Sequence, residues 1–200
     1  MGRVKNLDEI KAMVRARTGK RNTFRHCKSE DVESVLANLT SKDPELWAKE
    51  WSRVAKPYEE QGAILEKAGK FKEAREAYVQ AYAYYATGRY PTPHTPEKMA
   101  CFRKSLEVYE KAGKYFEPPL ERVEVPFGDK KIPIYVRVPQ DGRKHSMVIN
   151  FGGIDSFKAE SHEYDEGFQK SGMATCEWTC PASASAQSKR RPLRTPYSAR

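Results

Sequence analysis

Long apolar runs are what this sequence most lacks. Nowhere do its 200 residues approach the roughly 18 consecutive apolar positions that a membrane-spanning helix needs. Arg, Lys, Asp and Glu are scattered through Met1 to Gly19, which excludes the apolar core of a secretory leader. A cytoplasmic protein with no membrane partner is the expectation. Cysteine is scarce as well: four residues without a dense framework suit a reducing compartment in which thiols stay free. The four histidines, His26, His94, His145 and His162, lack the spacing of a zinc site, and Cys176 with Cys180 lacks a second ligand pair. Neither a metal nor a cofactor is expected. Acidic residues are missing from residues 178–200, which carry Lys189, Arg190, Arg191, Arg194 and Arg200. Of the net charge of +9, that tail holds +5 and the other 177 residues only +4. A body of mixed sign reads as an ordinary solvated surface, which disfavours a nucleic-acid partner.

What is present divides the chain in two. Residues 1–28 form a basic arm with one short helical pattern at Leu7, Ile10 and Val14, and weak order is expected there. Ser29, followed by acids at 30, 31 and 33, predicts a capped helix over 30–40. Asp43 and Pro44 open a second helix carrying Leu46, Trp47, Trp51 and Val54, which Pro57 is expected to break or kink. The helical period resumes through Leu65, stops at Gly69 and restarts from Phe71 to Tyr85. Pro91, Pro93 and Pro96 then impose an extended crossing before a helix over about 97–112. After Pro118 and Pro119 the period changes to two. Val123, Val125 and Phe127 alternate with polar residues, Gly128 and Asp129 turn the chain, and Ile132, Ile134, Val136 and Val138 alternate on the return. Met147 to Phe151 reads as a buried strand ending in Gly152 and Gly153, Glu160 to Lys170 as a helix, and Met173 to Thr175 as the opening of another strand.

Gly62, Leu65, Gly69, Phe71, Ala74, Tyr78 and Ala81 fit the spacing of one tetratricopeptide repeat, so a helical protein-interaction module is the alternative reading. The echo at Lys111 to Tyr115 comes 44 residues on and runs into Pro118, so packing of two helices through small residues is preferred. Phe151 to Ser156 is the most informative stretch. A strand ending in two glycines before a helix aims unpaired N–H groups at whatever sits above the strand end. Such a loop binds an oxyanion or is a plain turn, and the residues alone leave both open. No Gly-x-Ser-x-Gly occurs, and no Ser, His and Asp follow in an order that completes a triad behind Gly152. Ser156 lies too close to the loop to attack, so no nucleophile can be named.

Taken together, Trp47 with Trp51, the aromatic run Ala77 to Tyr85, Tyr90 with Pro91, Val123 to Phe127, Phe151 to Ser156 and Gly172 to Thr175 resemble the FrsA-like, 2,6-dihydroxypseudooxynicotine hydrolase-like α/β-hydrolases. The resemblance covers roughly residues 45–175. It implies an α/β fold in which a helical cap (29–118) precedes the first strands of an incomplete hydrolase sheet (119–175). It also implies cleavage of a small-molecule carbonyl or ester substrate by a serine nucleophile. By the same resemblance the oxyanion loop falls on Gly152, Gly153, Ile154 and Asp155, with the Ile154 N–H as donor. Such a donor is worth about 2.7 to 4 kcal/mol in hydrolases. Asp155, Tyr84 and Tyr85 are the expected pocket residues, and a homodimer through the cap is the expected assembly.

The resemblance stops after Thr175, where relatives continue with Asp, an apolar residue, Pro, Gly, any residue and Gly. Codon arithmetic points to a cause. Read from the third base of the Trp178 codon, TGG followed by AC gives GAC, an Asp codon, and the bases beyond permit Met, Pro, Gly, Val, Gly and Glu. A frameshift near residue 176 is therefore expected, with 176–200 an aberrant basic tail. The sequence then reads as a truncated serine hydrolase, inactive because nucleophile, acid and His are absent.

Overall fold

The computed structural model describes residues 5–152 and 156–179. Helix α1 (Leu7–Arg17) opens on a capping box: the Asn6 side chain accepts from the Glu9 N–H while the Glu9 carboxylate accepts from the Asn6 N–H. Asp8 and Glu9 at its start and Arg15 and Arg17 at its end complement the helix dipole. A short 3₁₀ turn follows at Asn22–Phe24. Val14 and Phe24 are fully buried, and the Phe24 ring packs against Trp47, Trp51 and Tyr90 at centroid distances of 6.4, 6.1 and 5.9 Å. This corrects the weak order expected before residue 29. A single aromatic in a polar run has no local signal, and its partners are supplied from elsewhere in the chain.

Helix α2 (Ser29–Asn38) starts at Ser29 itself, with Lys28 at the cap position and no side-chain capping bond. Helix α3 (Pro44–Lys67) is capped by Asp43, whose carboxylate accepts from the Glu45 N–H at 3.0 Å. It runs through Pro57 without ending. Proline removes one backbone donor there, but Trp51, Val54 and Ala55 before it and Gly62 after it are all buried, and that burial holds both halves in place. Gly69, at φ +72°, turns the chain into α4 (Phe71–Arg89). Thr95 caps α5 (Pro96–Gly113). A Cβ at Gly62 would sit 2.7 Å from the Tyr78 ring, so the α3–α4 contact is closed by the absence of a side chain. Tyr78 is therefore interior, its hydroxyl donating to Glu66 Oε2 at 2.7 Å, and does not line a surface groove.

Beyond α5 lie β1 (Glu121–Phe127), β2 (Lys130–Arg137), β3 (Met147–Phe151), α6 (His162–Lys170) and β4 (Ala174–Trp178), with a 3₁₀ turn at Lys158–Ser161. The sheet order is β1-β2-β4-β3; β1 and β4 run antiparallel to β2, and β3 runs parallel to β4. The hairpin register pairs Val125 with Ile132 and Val123 with Ile134, as the alternation predicts. The fold is thus the expected helical region followed by a small mixed sheet.

The two faces of that sheet differ. Tyr135, Arg137, Thr175 and Glu177, paired across β2 and β4, are buried on one face. There the Tyr135 hydroxyl donates to Glu110 Oε1 on α5 at 2.7 Å, and Arg137 donates to Glu166 Oε1 on α6 at 2.6 Å. The opposite face carries the apolar alternation, including Val123, Val125, Met147, Ile149 and Phe151, all exposed. Strand β3, expected to be buried, leaves Ile149 61% and Phe151 73% exposed, because it stands at the edge of the described sheet with β4 as its neighbour there.

Glu177 is the anomaly of the covered face. Both of its carboxylate oxygens are buried without a hydrogen-bond partner among the described residues. Burial pushes its pKa well above the ordinary carboxylate value, and the neighbouring Asp165 adds to the rise, against smaller opposing effects of Arg137 and Lys158. Asp165 itself is satisfied by Asn150 and by Ser161 Oγ, the latter at 2.7 Å.

Two predictions follow from this packing. Gly62→Val forces the Tyr78 ring aside and lowers unfolding stability by about 1–3 kcal/mol in urea melts. Glu177→Met removes a buried acid that faces the Asp165 carboxylate and has no cation on it among the described residues, and it stabilises the protein at pH 7 by about 1–3 kcal/mol. A raised folded-state pKa means that the folded form holds its proton longer than the unfolded one, so the wild type loses stability as pH rises from the ordinary carboxylate value of about 4.3. Urea melts at pH 5 and pH 8 should show that loss diminished in Glu177→Met.

Candidate functional site

The candidate site gathers at the carboxyl end of β3. A Cβ on Gly152 would run into the Ser156 side chain, so glycine at this position lets the chain fold back tightly. Gly153, Ile154 and Asp155, the remainder of the expected oxyanion loop, lie outside the described residues. On the far side of the loop, Ser156 Oγ donates to Glu160 Oε2 at 3.3 Å. Glu160 forms an ion pair with Arg89, the last residue of α4. The Arg89 guanidinium is buried, lies 4.1 Å from the centre of the Phe157 ring and donates to the Pro91 carbonyl at 2.9 Å. The exit of the glycine loop is thereby tied to the end of a cap helix.

Two cavities of about 470 and 270 Å³ share Ser156, Glu160 and Tyr164. The smaller is bounded by Asn150, Phe151 and Gly152 and reaches Trp178. The larger runs under the cap, where Tyr82, Ala83 and Ala86 of α4 face Arg25 and His26 of the arm. Arg25 pairs with Glu163 of α6, a residue 138 positions away in sequence. His26 Nε2 lies 3.6 Å from Glu163 Oε1, yet burial lowers its pKa more than that carboxylate raises it. Burial also lowers His162 to about 4, and its Nδ1 lies 3.1 Å from the Tyr109 hydroxyl. Both imidazoles are therefore uncharged at neutral pH. The cavity is a hydrogen-bonding pocket whose Glu163 carboxylate is neutralised by Arg25.

The aromatic run of α4 is divided by its helical period. Tyr84 is fully buried, stacks on Trp51 at a centroid distance of 6.2 Å, accepts from the Lys28 N–H at 3.2 Å and donates to Asp31. Tyr85 donates to Glu59 Oε2 at 2.7 Å. Neither is among the residues lining the two cavities, whereas Tyr82 is. Arg21 and Arg25 went unnoticed in the sequence and His26 was weighed there only as a metal ligand, because a polar run carries no periodicity to single them out.

Comparison with known proteins agrees with this architecture. The family described as Esterase FrsA-like matches residues 13–194, a span that includes the stretch for which a frameshift was expected. The chain is similar to 2,6-dihydropseudooxynicotine hydrolase of Paenarthrobacter nicotinovorans, at 30% identity over 137 residues, which are 68% of this chain and 36% of that protein. It also resembles the α/β hydrolase ucsC of an Acremonium species, at 26% identity over 151 residues, 67% of this chain and 31% of that one. Among solved structures, the crystal structure of 2,6-dihydroxy-pseudo-oxynicotine hydrolase superimposes with a TM-score of 0.67 at 23% identity, over 86% of this chain and 45% of the other. AbyA5 does so with a TM-score of 0.60 at 19% identity, over 88% and 44%. The chain thus spans about a third of the length of these curated relatives. No helix among the described residues is long and apolar enough to cross a membrane. With nine-tenths of its length matched and the same fold in the solved relatives, the chain belongs to the FrsA-like esterase family of α/β-hydrolases.

Proposed function

We propose that these 200 residues are the cap and opening strands of a serine α/β-hydrolase for an ester or an activated carbon–carbon bond, catalytically silent as they stand. One observation carries the reading: in a member of an esterase family, a glycine folded tightly against Ser156 ends β3 beside a cavity roofed by the cap. In this reading the N–H groups from Gly152 to Ile154 form the anion cradle. The cavity under Tyr82 holds a small-molecule carbonyl or ester substrate, with the neutral His26 and His162 as hydrogen-bonding groups. The acyl chemistry itself needs a nucleophile hydrogen-bonded to a base. Ser156 has the Glu160 carboxylate as its partner instead, and Glu160 is held by Arg89.

The frameshift belongs to the same proposal. It is supported by the Glu177 carboxylate and the Trp178 indole N–H, which lie just past residue 176 and, like Thr23 Oγ1, Trp51 Nε1 and Gln169 Oε1 elsewhere, are buried without a hydrogen-bond partner among the described residues. Natural interiors seldom leave such groups unsatisfied. The cytoplasmic address and the homodimer through the cap are part of the proposal too.

The purified chain should hydrolyse a short-chain nitrophenyl ester no faster than buffer does, and turnover that copurifies with it through two orthogonal columns refutes the proposed silence. Sequencing the encoding DNA across codon 176 tests the frameshift: a shifted frame that meets an early stop counts against it, and one that continues for several hundred bases supports it.

A further inference from the structure

A different cavity, of about 360 Å³, shares no lining residue with the two beside Gly152. It lies between α1, the start of α3 and the segment joining α4 to α5, and its walls include Leu7, Ile10, Met13, Phe24 and Trp47. Its size is in the range of small-molecule sites, roughly 300–1,000 Å³.

Two lysines line this space, Lys42 exposed at its rim and Lys98 buried in its wall. Lys98, on the first turn of α5, is 4% exposed. Its ammonium donates to the Tyr90 carbonyl at 2.7 Å, and among the described residues that is the acceptor it has. An ammonium carries three donors, so two directions remain open. Burial lowers the Lys98 pKa to about 8, and the charges that act on it are those of Cys101, Arg89 and Glu45. Of the other polar groups in the lining, Ser41 Oγ accepts from the Asp43 N–H at 3.2 Å, Lys42 donates to the Lys5 carbonyl at 3.4 Å, and His94 Nδ1 lies 2.9 Å from the Thr92 carbonyl. The Trp47 indole N–H donates to the Thr87 carbonyl at 2.9 Å, and the Asp43 carboxylate at the rim caps α3. Glu45 acts on Lys98 without a hydrogen bond to it among the described residues, and a buried ammonium so placed is costly; a carboxylate seated directly on it offsets that cost. Apolar walls around one buried positive charge are complementary to a hydrocarbon bearing one negative charge.

We propose that this cavity is a binding site for an apolar monocarboxylate, its carboxylate on the Lys98 ammonium and its hydrocarbon among Leu7, Ile10, Met13 and Trp47. The site is independent of the hydrolase reading, since it uses neither the glycine loop nor the cavity under Tyr82.

The test uses the full 200-residue chain with decanoate and its uncharged analogue decan-1-ol, both below their aggregation limits. Binding is followed by titration calorimetry and by the Met13 methyl resonance. Decanoate should bind at least tenfold more tightly than decanol and shift the Met13 methyl. Lys98→Met should weaken decanoate at least tenfold and leave decanol within twofold. Absence of decanoate binding, equal affinity for the two ligands, or binding that leaves Met13 unmoved, as on the open sheet face, each overturns the proposal. So does binding that appears only after deletion of residues 1–4, which assigns the cavity to the chain's own amino terminus. If Lys98→Met fails to fold, the decanoate–decanol comparison and the Met13 shift in the wild type still decide.

Discussion

A strand has two faces, and among the described residues the helices cover only one face of the sheet. That constraint organises the whole carboxyl-terminal half. The side toward the helices carries Tyr135, Arg137, Thr175 and Glu177, and the alternation of period two then sends the aliphatic residues to the uncovered side. The sheet is consequently held to the helices largely by polar anchors. Arg137 makes the point: it is buried, paired with Glu166, donates to the Pro118 and Glu117 carbonyls at 2.9 and 3.2 Å, and lies over the Phe116 ring. Each of those groups must be satisfied for burial to be tolerable, so the anchors specify one docking geometry. The apolar residues of β1 and β3 contribute little to this junction because they face the other way.

The same division gives the region around β3 its character. Arg89 at the end of α4 pairs with Glu160, Glu160 accepts from Ser156, and Ser156 packs against Gly152. A chain of contacts thus runs from the cap to the strand end, and the cavity under Tyr82 lies beside it. The arm closes that cavity from the amino-terminal side through Arg25 and Glu163. Such an arrangement suits binding and orientation. Attack on a carbonyl needs a further group, a nucleophile with a base beside it.

Glu177 and Trp178 connect the covalent sequence to this packing. β4 keeps its register with β3 through Trp178, so the backbone accepts these residues as strand. Their polar side-chain atoms nevertheless find no hydrogen-bond partner among the described residues. Backbone pairing is indifferent to side-chain identity, whereas the interior is not, so strand register and side-chain satisfaction are set separately.

Local rules made much of the fold legible in the sequence. Asp43 with Pro44, the Gly69 turn, the hairpin at Gly128 and the close α3–α4 approach at Gly62 each depend on a few neighbouring residues or on the helical period, and each is found in place. The family resemblance, resting on the order of many weak motifs, was legible too. Tertiary structure alone decided the rest. It chose Tyr82 rather than Tyr84 or Tyr85 to line the cavity, seated Phe24 in the core, carried α3 through Pro57, left β3 exposed and buried Lys98 in an apolar wall. Those outcomes depend on what lies opposite each side chain, and the opposing groups come from distant parts of the chain, where caps, turns and periodicity carry no information.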